Sequence, residues 1–136
     1  MKDSLRPGVS RTSRIAIDRE RTIGFMGEEG RVYATPRMVW DVEHTCRDLL
    51  LEHSDGNEDS VGIEVTLRHL AATLPGMTVA ISVTVRSVEG RKVVFDFEVK
   101  DNLELVGAGS HSRFVVDKAK TIERLKAKAA KFAALR

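Results

Sequence analysis

Aromatic side chains make up only 5% of this chain, so a core built from it must rest on Val, Ile, Leu and Ala. Cysteine is nearly missing too. The single Cys46 excludes an internal disulfide, which fits a reducing compartment and leads to the expectation of a cytoplasmic protein. No long apolar run is present, so neither a bilayer-spanning segment nor a secretory signal in the opening MKDSLRPGVSRTSR is expected. A zinc site is also unexpected. His44 and His53 share no clean helical face, and no cysteine cluster lies near them. The glycine-rich stretch from Gly24 to Gly30 lacks the lysine and Ser/Thr of a phosphate-cradling loop, and no strong strand precedes it.

What is present suffices for a folded domain. The 136 residues are 42% hydrophobic, enough to bury a core without staples, and fit one domain over 1–136. The net charge of +2 is unevenly placed. From Asp117 to Arg136 there are seven Lys/Arg against two Asp/Glu, so the basic character belongs to that segment alone. Such a face suits nucleic acid, an anionic membrane, a phosphorylated ligand or plain solvent.

Apolar spacing divides the chain into elements. Arg14 to Ile17 reads as a short first strand after a loose terminus over 1–10. Pro36 to His53 reads as a helix, with Thr35 as its N-cap and Val39, Val42, Cys46, Leu49 and Leu50 on one face. Strict alternation then marks strands through Val61–Leu67, Val79–Val85 and Val93–Val99, with a tight hairpin at Glu89-Gly90. A longer last strand runs from Leu103 to Val116, and its Gly107 and Gly109 point to a bulge or a close backbone approach. Lys118 to Leu135 returns to helical spacing, with Ile122, Leu125, Ala129 and Phe132 as its apolar stripe. The order gives an α+β fold: a four-strand antiparallel meander covered by one central helix, followed by a terminal helix.

Three polar residues sit where apolar ones are expected. Glu43 lies on the helical stripe, where loss of water would disfavour its charged form and tune it as a general base; the other reading puts it at the stripe's edge, reaching solvent. His69 continues the inward series Val61, Ile63, Val65 and Leu67, either as a proton shuttle or as a bonded core histidine. Thr35 stands at the helix mouth, where a hydroxyl caps the helix or holds a water or carbonyl beside free N–H groups. Gly62 falls on the face opposite His69, so any role must come through its backbone N–H. His111 and Arg113 share a strand face and either support the structure or lean on the site. Cys46 reads as core.

The spacing of Thr35, Glu43 eight residues on and His69 a further 26 on resembles the fluoroacetyl-CoA thioesterase-like family of hot-dog proteins. The segments Thr35–Glu43, Thr73–Val79, Arg86–Arg91 and Gly109–Arg113 carry the likeness, which spans roughly residues 31–117. The resemblance implies a hot-dog homodimer, with tetramers as a further option and active sites between protomers. It implies Thr35, Glu43 and His69 as the catalytic set, with Gly62 and Arg113 on the substrate side. The ligand would be an acyl-CoA, with no metal, other cofactor, nucleic acid or membrane involved. The family's aromatic lid has no counterpart at Glu28–Arg31, where Tyr33 is the nearest aromatic, so fluoroacetyl selectivity is not implied. The expected activity is hydrolysis of a small acyl-CoA to acid and coenzyme A, with the basic tail drawing in the coenzyme's phosphates. The rival from another class is a non-catalytic acyl-CoA-binding module; a hydratase would need an Asp/His motif that is not found.

Overall fold

The computed structural model describes residues 1–135. The central helix α1, Thr35–Glu52, ends at the turn-forming cluster after His53, as its spacing predicts. Met38, Val42, Cys46, Leu49 and Leu50 recur every three or four residues and are at most 1% exposed. They face a five-stranded antiparallel sheet of β1 (Ser10–Ala16), β4 (Glu58–His69), β5 (Thr78–Glu89), β6 (Lys92–Lys100) and β7 (Leu105–Asp117). Two short strands, β2 (Thr22–Ile23) and β3 (Val32–Tyr33), pair separately ahead of the helix. The alternating Val79, Ile81, Val83 and Val85 of β5, with Val93, Phe95, Phe97 and Val99 of β6, fill the space beneath α1.

The strand order is β1-β5-β6-β7-β4, which corrects the simple meander. β4 does not pair with the next strand, β5. It lies beyond β7 at the sheet edge, and the segment between β4 and β5 closes the end of the molecule. That segment is held by Leu70 N–H to the Val106 carbonyl, Tyr33 N–H to the Thr73 carbonyl and Gly76 N–H to the Ile17 carbonyl. Long-range pairing of this kind leaves no mark in local alternation. Residues 1–10 are not loose either: Leu5 is 6% exposed within the core, and Gly8 donates to the Val85 carbonyl.

A β-bulge interrupts β4. Gly62 pairs with Arg113 and Glu64 with Ser112, so Ile63 is the extra residue. The phase of the strand therefore flips at this point. Ser60 and Gly62 face the helix before the bulge, and Val65, Leu67 and His69 face it afterwards, opposite His111, Gly109 and Gly107. Two expectations fall with this. Val61 and Ile63 do not point inward (43% and 51% exposed), and Gly62 shares a face with His69 rather than opposing it. At Gly109 the close approach read from sequence is real: an added Cβ would lie 1.8 Å from the Thr66 carbonyl oxygen.

The terminal helix α2, Lys118–Ala133, is capped by the Asp117 carboxylate, which accepts from the Lys120 N–H. Its stripe is present but uncovered, with Ile122 52%, Leu125 60% and Phe132 75% exposed. Among the described residues no helix is long and apolar enough to cross a membrane.

Candidate functional site

Thr35 occupies the first turn of α1, one position later than a cap, and Ala34 is the N-cap residue without a side-chain bond. The Thr35 hydroxyl is thereby free for another partner, and its Oγ1 lies 2.8 Å from His69 Nδ1. This corrects the capping role read from sequence and joins two residues 34 apart. Burial holds the His69 imidazole below its ordinary proton affinity, with a hydrogen bond to the Ala71 backbone acting the other way. Its Nε2 is buried and makes no hydrogen bond of normal geometry among the described residues. A neutral ring with one nitrogen on a hydroxyl can give or take a proton.

The ring is also held from behind. Tyr33 packs edge-on against His69, with centroids 6.3 Å apart and planes at 75°. The Tyr33 hydroxyl donates to Asp41, which is 2% exposed and also accepts from Arg21 Nε (3.1 Å) and Nη2 (3.2 Å). Sequence reasoning missed Arg21 and Asp41, since a charged residue beside an apolar stripe carries no signal of burial. It also missed Phe25, 88% exposed, which lines a cavity of about 440 Å³ with Thr35, His69, Tyr33 and Leu70. The acidic loop that follows is tied down through Glu28, whose carboxyl is lowered to about 2 by Arg19 first and then Arg31. A Phe-Met pair inside a glycine-rich loop was the available signal for Phe25.

Glu43 stands two turns further along α1, about 12 Å from Thr35 along the helix axis. It lies at the edge of the stripe with its side chain 42% exposed, so the edge reading holds and water is only partly removed. Arg113 Nη1 donates to Glu43 Oε2 at 3.1 Å, and Arg113 itself is 4% exposed. Its remaining bonds run to Ser60 Oγ (2.8 Å), the Ser60 carbonyl (2.9 Å) and His111 Nε2 (3.1 Å). Gly62 lies against this group. A Cβ there would meet Glu43 Oε2 at 3.1 Å and His111 Cε1 at 3.2 Å. Glu43, Gly62, Glu64, Val65 and His111 line a second cavity of about 270 Å³. Nearby, burial pushes the Cys46 thiol up to about 12, which makes it inert core.

The structure thus assembles two half-sites within one chain. Thr35 and His69 form one, and Glu43, Gly62 and Arg113 form the other. Gly62 and His69 lie about 20 Å apart along β4, so the two halves do not meet in a single copy.

A family model described as fluoroacetyl-CoA-specific thioesterase matches residues 17–119. The fluoroacetyl-CoA thioesterase of Streptantibioticus cattleyicolor is 31% identical over 123 residues, covering 85% of this chain and 88% of that protein. A thioesterase superfamily member from Thermus thermophilus superposes with a TM-score of 0.88 at 28% identity, covering 96% of this chain and 97% of the other. A variant of the fluoroacetyl-CoA-specific thioesterase in complex with fluoroacetate and CoA gives 0.79 at 29% identity, covering 86% and 99%.

Proposed function

The chain belongs to the fluoroacetyl-CoA-specific thioesterase family of hot-dog proteins, and on that premise we propose that it hydrolyses a small acyl-CoA thioester to the free acid and coenzyme A. The observation that carries the reading is the Thr35–His69 pair, a hydroxyl diverted from helix capping onto a neutral imidazole at a cavity mouth.

The working enzyme is a homodimer, because each copy supplies only half of the residues required. Support comes from the open edge of β4, which exposes Val61, Ile63 and Val65 at 43%, 51% and 40%. Antiparallel pairing of two β4 edges about a twofold axis centred on Thr66, with the bulge residue Ile63 left unpaired, sets Gly62 of one copy opposite His69 of the other. Directly opposed residues share a face about 5 Å apart, so Glu43 of one copy then approaches Thr35 and His69 of the other. The bulge is what makes this convergence possible, since it turns Gly62 and His69 to the same face.

In that composite site the Glu43 carboxylate takes a proton from the water that attacks the thioester carbonyl carbon, or attacks that carbon itself to form an anhydride that water then hydrolyses. The Gly62 N–H orients the carbonyl and meets the charge that develops on its oxygen, while the Thr35 hydroxyl donates to His69 Nδ1 and so keeps the ring proton on Nε2. His69 protonates the departing thiolate through Nε2. Arg113 serves the substrate side by fixing Glu43, since four of its five donors are engaged within the chain. The whole chain acts as one domain in the cytoplasm.

The test is thiol release from short, branched, aromatic and halogenated acyl-CoAs, beside thermal shift with the same panel. Glu43→Ala and His69→Ala should fold normally and hydrolyse about 10²–10⁴-fold more slowly. Stabilisation by acyl-CoA without thiol release from any of them would contradict hydrolysis and leave a binding module.

A further inference from the structure

His111 is 2% exposed, titratable and unused by the mechanism above. Its Nδ1 lies 2.7 Å from the Glu64 carbonyl oxygen. A carbonyl oxygen only accepts, so Nδ1 carries the ring proton and Nε2 is left as an acceptor. Arg113 Nη1 stands 3.1 Å from that Nε2 and 3.1 Å from Glu43 Oε2. One nitrogen with two hydrogens therefore gives one to His111 and the other to Glu43. Ser60 fixes the opposite side of the guanidinium through Nε and Nη2. The Glu64 carbonyl belongs to the residue immediately after the bulge, so the same ring ties the phase switch of β4 to the arginine.

We propose that His111 is a positioning residue for the reaction: by donating to the bulge carbonyl and accepting from Arg113, it sets the direction in which Arg113 holds the Glu43 carboxylate. A second proton on the ring is disfavoured first by burial and then by the neighbouring Arg113, which keeps Nε2 an acceptor. The inference rests on Glu43 acting in hydrolysis.

Three variants test it. His111→Gln keeps an acceptor within reach of Arg113. His111→Leu removes both polar atoms. His111→Asn keeps a donor for the bulge carbonyl but is too short to reach Arg113, and it serves if the leucine variant does not fold. In nitrogen-detected NMR the Arg113 Nη1 signal should keep its wild-type position in His111→Gln and move in His111→Leu and His111→Asn, where Nη1 loses an acceptor. In thiol release, the last two should lose about tenfold or more in kcat with KM little changed, as expected for a misaimed catalytic group, while His111→Gln stays within about threefold. Wild-type Nη signals and kcat in a folded His111→Leu or His111→Asn would overturn the proposal. Equal losses of kcat and Tm in all three variants would also overturn it, by reducing His111 to a structural role. If the wild type releases no thiol, the hydrolase reading fails and the Arg113 signals still decide this inference.

Discussion

Thr35 shows how one atom's partner separates stability from activity. Deleting a side-chain cap ordinarily costs about 1 kcal/mol, but this hydroxyl bonds His69 and caps nothing. Thr35→Ala should therefore shift Tm by less than a cap deletion does, while thiol release falls about tenfold or more through the loss of one oriented polar group. A large Tm loss with normal turnover would restore the capping reading. Gly62 makes a second case. Its Cβ would press on Glu43 Oε2 at 3.1 Å, so Gly62→Ala should lower kcat more than it lowers Tm. The histidines give a pH signature. Burial lowers both His69 and His111 below the ordinary 6.5, so the unfolded chain binds protons there before the folded chain does. Stability should be full above about pH 6.5 and fall as pH drops below it. His111→Gln, measured by denaturant unfolding from pH 7.5 to 5, should flatten that slope; an unchanged slope would remove His111 as its source. The catalytic candidates were legible because each is polar where its neighbours are apolar. The face of Gly62 was not, because a single extra residue in a strand leaves no compositional mark.

Among the elements, β4 carries the most weight. Its partner β7 satisfies one edge, and the other edge is open and apolar. Lysine at the bulge and on the outward face, as in the double substitution Ile63→Lys and Thr66→Lys, should yield a folded monomer that releases no thiol, read by light scattering and circular dichroism. A stable dimer carrying both lysines would contradict pairing through β4. Helix α1 and the strands β5 and β6 were readable because a single covered face imposes one clean period on each. The packing of residues 1–10 was not readable, since one buried leucine and a few backbone bonds hold it and neither creates a period. The stripe on α2 was readable as a stripe, but periodicity does not say what covers it.

Across the whole molecule, charge is divided between a basic terminal helix and a remainder that is net acidic. The lysines and arginine of α2 are exposed and suited to drawing in the phosphates of coenzyme A. Charge reversal at Lys118, Lys120 and Arg124 should raise KM at low salt and flatten its dependence on ionic strength, because steering is screened over about 10 Å at 0.1 M salt. An unchanged salt profile would assign α2 no part in capture. At this scale the resemblance supplied more than the residues did. A dimer with shared sites is not visible in alternation or composition, and the proposal of one rests on Thr35–His69 and Glu43–Gly62 standing apart in one copy.

Shared sites make a direct test available through subunit mixing. Glu43→Gln and His69→Ala, each inactive alone, are refolded together so that copies exchange. If each site draws Glu43 from one copy and His69 from the other, a mixed dimer holds one intact site. Statistical pairing should then restore about a quarter of wild-type thiol release. No recovery from a mixture shown to contain mixed dimers would contradict the composite site.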